Sequence, residues 1–130
     1  KLANSSITLN GSATSLGGSA TLKHIDWQSL VVADGSTQLT AVAGRGYFLD
    51  TNTGVIEVLL PSSPSRGDTF VFVDYGGTFA TNQLIINTAG QLIDSTTGPD
   101  FKVTTNNAVV ELVYVDANKG YLVKLNQVQF

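Results

Sequence analysis

Two stretches, Thr69-Phe70-Val71-Phe72-Val73-Asp74 and Ala108-Val109-Val110-Glu111-Leu112-Val113-Tyr114-Val115, carry apolar side chains on both faces of an extended chain; Glu111 alone interrupts the second. A strand apolar on both faces is a central strand, covered on each side. Around these two the same pattern repeats in shorter pieces. Residues 29–33 and 38–42 are apolar runs split by the turn Asp34-Gly35. Residues 46–50 contain Tyr47 and Phe48, and Thr53-Gly54 turns into 55–60, which alternates around Glu57. Further strands are expected at 83–87, 101–104 and 121–125, the last reached by a hairpin over 116–120. The separators are Pro61 to Asp68 with two prolines, the turn Tyr75-Gly76-Gly77, and a polar loop over 94–100 containing Gly98-Pro99. Short strands with turn residues between them predict a sandwich or barrel. No window shows a capped helical stripe, and β-branched Val, Ile and Thr favour strands. The expected fold is all-β: an antiparallel β-sandwich or jelly-roll-like globule over residues 23–130.

The first 22 residues differ from the rest. They are rich in Ser, Thr, Asn and Gly, with only Leu2, Ile7, Leu9, Leu16 and Leu22 as large apolar side chains. Ile7 and Leu9 alternate with Thr8 and Asn10, a strand pattern. Asn10-Gly11 is a type I′ hairpin signal, and Gly17-Gly18 marks a second turn. Five such side chains cannot form a core for this segment. Residues 1–22 therefore read either as a flexible linker or as a stalk ordered by packing against sister chains.

The chain has 130 residues, the size of one domain. Charged residues make up 13%, about half the usual share, while 42% are apolar. A weakly charged surface gives little protection against association, so part of it is expected to be covered by another subunit. Seven Lys and Arg with no basic run argue against nucleic acid as a partner, since duplex binding needs clustered cations. No stretch approaches the ~20 apolar residues of a membrane span, so no membrane partner is expected. The first residues lack a signal-peptide core, and Lys1 in place of Met points to a fragment or a processed chain. With no Cys and no Met, disulfides and thiolate metal sites are excluded.

Catalytic groups are sparse. The chain has one His, no Cys and two Glu, whereas acid–base and nucleophilic catalysis need positioned, tuned groups. A Ser-His-Asp triad would have to use His24, two residues before Asp26, and the nucleophile-elbow pattern is absent. Metal-ligand spacings and the EF-hand pattern are also absent. Asp94 with Asp100 could contribute to a calcium site, but turn aspartates more often bond to their own backbone. No metal and no cofactor is implied. Glu57 and Glu111 are the candidates for a glycosidase pair, which needs two carboxylates roughly 5–10 Å apart; the simpler reading turns each to solvent or to a lysine such as Lys102 or Lys124. Residues 66–68 (Arg66-Gly67-Asp68) form an RGD tripeptide that also reads as an ordinary turn. Asn4-Ser5-Ser6 and Asn10-Gly11-Ser12 are glycosylation sequons that matter only in a eukaryotic secretory setting.

Residues 2–11 (LANSSITLNG) and 15–19 (SLGGS) resemble a segment of tail-fibre and related virion proteins of tailed phages, notably marine and cyanophage ones. Residues 44–50 (GRGYFLD), 55–61 (VIEVLLP), 67–68 (GD), 73–79 (VDYGGTF), 113–116 (VYVD) and 120–123 (GYLV) are similar to a module of the same proteins. The resemblance spans most of the chain and consists of strand and turn residues. It implies a virion location in the tail fibre, a fibre or adhesin domain, a homotrimer, and no catalytic residues. A receptor-binding fibre module would bind a host-surface glycan, and sugar sites combine an aromatic face with amide and hydroxyl partners. Tyr75, in a Gly-rich turn with Asp74 and Asn82 nearby, is the first candidate, and Trp27 is another, although its place between stalk and globule suits interface packing. Tyr47 and Tyr121, within strands, are expected in the core. The alternatives are a small glycan-degrading enzyme carried on a fibre, and a capsid or neck decoration module.

Overall fold

The computed structural model describes residues 6–9, 12–15, 25–97 and 100–127. Its strands in chain order are β1 (Ser6–Leu9), β2 (Ser12–Ser15), β3 (Asp26–Trp27), β4 (Val31–Val32), β5 (Thr37–Thr40), β6 (Arg45–Asp50), β7 (Ile56–Leu59), β8 (Thr69–Asp74), β9 (Leu84–Asn87), β10 (Phe101–Val103), β11 (Ala108–Asp116) and β12 (Gly120–Gln127). Among the described residues none is helical, so the fold is all-β.

β1 and β2 pair antiparallel with Leu9 opposite Ser12; the hairpin expected at Asn10-Gly11 lies outside the described residues. The remaining strands form two sheets. One is six-stranded, in the order β12-β11-β8-β6-β3, with β4 also on β6; the other is four-stranded, in the order β10-β9-β7-β5. From β4 to β9 the chain alternates between them, so each new strand lies beside one laid down two strands earlier. That path makes β3, β4 and β8 parallel to β6, and β5 and β9 parallel to β7. Only then does the chain reverse: β10 on β9, β11 on β8 and β12 on β11 are antiparallel. The expectation of an antiparallel globule is corrected here. Parallel neighbours need a crossover, and a strand of the opposite sheet supplies it.

The inner faces of the two sheets share one core. Tyr47, Leu49, Phe70, Phe72, Val110 and Leu112 enter it from the six-stranded sheet, and Ile56, Val58, Leu84, Ile86 and Val103 from the four-stranded one. β8 and β11 are interior strands, as their two apolar faces predict. Aromatic rings set the packing: Tyr47 stacks on Phe72 at 5.7 Å, and Tyr121 meets Phe70 and Tyr114 edge-on at 6.0 and 5.2 Å. Tyr47 and Tyr121 are thus core residues, 3% and 0% exposed.

The alternation sorts the connectors to two ends. Residues 33–36, 51–55, 75–83 and 104–107 gather at the end where β4, β6 and β8 finish, here the upper end. Residues 41–44, 60–68, 88–97 and 117–119 gather at the lower end.

Candidate functional site

At the upper end, successive connectors are tied together by side chains. The Thr53 hydroxyl donates to the Ala33 carbonyl, and the buried Thr51 hydroxyl meets that of Thr78 at 2.8 Å. Asn82 Nδ2 donates to the Thr51 carbonyl at 2.8 Å, and the Ala80 N–H donates to Asn106 Oδ1 at 2.7 Å. Asp74 is the hub. Its carboxylate, 6% exposed, accepts the N–H groups of Thr78, Phe79 and Asn107 at 3.1, 3.1 and 2.9 Å. Three charge-assisted bonds hold the 75–83 connector and the start of β11 in one arrangement.

Asp74 and Asn82 therefore act on the backbone. Tyr75 is the residue they present: its N–H is anchored on the Leu49 carbonyl at 2.9 Å, and its side chain is 61% exposed. The exposed Asn52 and Thr81 lie in connectors of the same end. An exposed ring on a rigid rim of amides and hydroxyls can stack on the C–H face of a sugar and hydrogen-bond its hydroxyls.

Trp27 belongs to a different place. It pairs with Gly46 at the lower end of β6 and stacks on Phe48 at 4.8 Å. Its ring lies directly over Gly46, where a Cβ would come within 2.5 Å of Cε3. The missing side chain makes room for the indole on the outer face of the sheet.

Glu57 and Glu111 lie on the outer faces of different sheets, with the whole core between them. Glu57 accepts Gln38 Nε2 at 2.8 Å, and Glu111 is opposite Lys124. The two cannot flank one scissile bond. Asp94 pairs with Lys119 at 2.7 Å, and among the described residues no three His, Asp or Glu gather to hold a metal ion. His24, the histidine a triad would need, lies outside the described residues. The RGD tripeptide is held as a turn: Arg66 Nε donates to the Val115 carbonyl, the Gly67 N–H to that of Tyr114, and Asp68 Oδ2 accepts the Ser65 N–H.

The lower end contains a groove of about 380 Å³ that the sequence reading missed. Ile93 and Phe101 line it, with Thr96, Thr97, Asp100 and Lys102 among its polar residues. Residues 94–100 read as an ordinary polar loop, and the fold alone brings Ile93 beside Phe101. The signal available beforehand was two large apolar residues flanking an otherwise hydrophilic stretch.

Fold and sites together define a class: an all-β domain of two sheets around one core, with polar connectors at both ends. Compared with models of known protein families and with curated proteins, the chain matches none.

Proposed function

We propose that this chain is a non-catalytic structural or adhesin module of a phage tail fibre, with residues 1–22 as a stalk, residues 23–130 as a sandwich-like globule, and a homotrimer as the working unit. The observation that carries the reading is the outer face of the six-stranded sheet. Residues of β6, β8, β11 and β12 that alternate with the core set point outward, and six of them are apolar, Phe48, Val71, Val73, Val109, Val113 and Leu122, beside the polar Thr69, Glu111, Lys124 and Asn126. Apart from Val71 they are half-buried or exposed. A strand with two apolar faces needs both covered, and the four-stranded sheet covers one. Two sister chains supply the second cover in this reading, and Glu111 with Lys124 provides opposite charges on the same face. The resemblance of the chain to fibre modules supports the threefold number and a virion location.

Tyr75 on its upper rim is the surface that would meet a host glycan. Sedimentation equilibrium at micromolar concentration is expected to give three times the chain mass; a monomer overturns the assembly reading. A glycan array probed with the chain and with Tyr75→Ala tests the receptor reading. Signal on defined glycans that the substitution removes supports it, and no signal on any glycan reduces the chain to a purely structural module.

A further inference from the structure

We infer that the six-stranded sheet continues from one copy of this chain into the next, the free edge of β12 pairing in parallel with the β3–β4 edge of a second copy. The inference rests on the homotrimer proposed above and says how its subunits join.

The two edges are where exposed apolar side chains collect. Among the described residues seven large apolar side chains are exposed, and five of them are here: Trp27, Leu30 and Val32 along β3 and β4, and Leu122 and Leu125 on β12. Proteins blunt a free edge with Lys, Pro or a bulge. The β3–β4 edge has one extra residue between Trp27, opposite Gly46, and Val31, opposite Leu49, but no Lys or Pro from 26 to 32. Trp27 stays 48% exposed although its indole is held over Gly46 and stacked on Phe48. A half-exposed indole already fixed in place is a preorganised anchor for an interface. Asp26 is the one charged residue from 26 to 32 and Lys124 the one from 120 to 127. Joining unlike edges therefore brings opposite charges together, which joining like edges does not.

Direction and register fit as well. β12 and β3 run the same way, since β3, β6 and β8 are parallel and β11 is antiparallel to both β8 and β12. One rung crosses the whole sheet through Trp27, Gly46, Val71, Glu111 and Lys124. At one end of it, the N–H groups of Asp26 and Gln28 donate to the Gly44 and Gly46 carbonyls at 2.8 and 2.9 Å. The N–H and carbonyl of Trp27, between them, face away from the sheet. At the other end, Tyr121 turns its N–H and carbonyl away from β11, to the Leu92 carbonyl and the Asp94 N–H. Alternation gives the backbone groups of Val123 and Leu125 the same outward direction. A parallel ladder uses this interleaving: the Trp27 N–H donates to the Val123 carbonyl, and the Leu125 N–H donates to the Trp27 carbonyl. That pairing sets Trp27 beside Lys124 of the next copy, so the rung runs on unbroken. Rotation about an axis along the strands brings one edge to the other, a heterologous contact that closes into a ring. The apolar outer faces then line the inside of that ring and cover one another.

The test is disulfide capture, which the absence of native Cys makes clean. Gln28→Cys and Leu125→Cys lie one rung above Trp27 and Lys124 and leave both in place. Within one chain they are four strand spacings apart, ~19 Å, too far for a disulfide. Under mild oxidation the double variant is expected to give covalent dimers and trimers on a non-reducing gel, which reduction removes. Each single variant is expected to give none. Trp27→Ala is expected to raise the concentration for half-assembly about tenfold or more. Val42→Ala, at an exposed apolar residue away from both edges, is expected to leave it unchanged. Far-ultraviolet spectra matching the parent show that the variants fold. Single variants that link as strongly as the double, or sedimenting trimers that the double variant does not link, overturn the edge pairing and leave the trimer standing. Monomers throughout, without any link, overturn both.

Discussion

Single residues at this fold's ends are engaged in bonding the backbone. Asp74 is the clearest case, because it collects three N–H groups from two connectors. Asp74→Ala strands those donors at the upper end and is expected to cost about 3 kcal/mol, seen as a lower urea midpoint with an unchanged slope. Tyr121 is the opposite case. Its ring is fully buried and its hydroxyl has no partner. Burial, and then the charge of Asp68 and the nearby Tyr114, push its ionisation up from 10 to about 12. The folded chain therefore holds this proton more tightly than the unfolded chain. The corresponding stability is fully present below about pH 10 and is lost as pH rises towards about 12. Tyr121→Phe removes both effects. It is expected to match or exceed the parent chain in thermal stability at neutral pH, since a buried unpaired hydroxyl is unfavourable, and to lose less between about pH 10 and about 12. A Phe variant that melts well below the parent at neutral pH would show that the hydroxyl is satisfied.

Most elements were legible in the sequence, and their pairing was not. The paired apolar faces of residues 69–74 and 108–115 marked β8 and β11 and their interior place. Turn residues such as Asp34-Gly35, Thr53-Gly54 and Gly76-Gly77 separated the shorter strands. Alternation with a period of two tells which face a residue takes, but it carries no record of the neighbour's direction. Short turns between strands argued for hairpins, whereas 51–55 and 75–83 in fact carry the chain from one sheet to the other. The site followed the same division. The exposure of Tyr75 was legible from its place in a glycine turn, while the bonds of Asp74 to Asn107 and of Asn82 to Thr51 join residues remote in sequence and were not. Residues 88–96 also pack tightly on the β11–β12 hairpin, where Gly120 at φ 75° lies against the backbone of Leu92. A Cβ there would lie 1.9 Å from the Leu92 carbonyl oxygen. Gly120→Ala combines left-handed strain with overpacking and is expected to cost about 2–5 kcal/mol. Hydrogen exchange of the Asp94 and Ser95 amides checks it, since both donate to the hairpin and are expected to lose protection first.

At the scale of the whole molecule, the two outer faces contrast. The outward rungs of the four-stranded sheet are mostly polar, Gln38, Glu57, Ile85 and Lys102 in one and Thr40, Leu59 and Asn87 in the next. Those of the six-stranded sheet are mostly valines with Phe48 and Leu122, and their polar members are Thr69, Asn126 and one Glu–Lys pair. If the second face is buried between copies, stability depends on mass action: the melting temperature rises with protein concentration because association favours the folded chain. Val109→Glu tests this cleanly. Val109 lies opposite Val73 and Asn126 on that face and outside the core. In an isolated chain the new carboxylate stands in water, and the cost is about 1 kcal/mol or less. In an assembly it is a buried charge far from a partner, which costs several kcal/mol. The parent chain is therefore expected to melt higher as concentration rises, and the variant to fold, sediment as a monomer and melt at a temperature independent of concentration. A parent melting temperature that does not move with concentration, together with identical sedimentation of parent and variant, would leave the apolar face uncovered by sister chains and remove the main physical argument for a trimer.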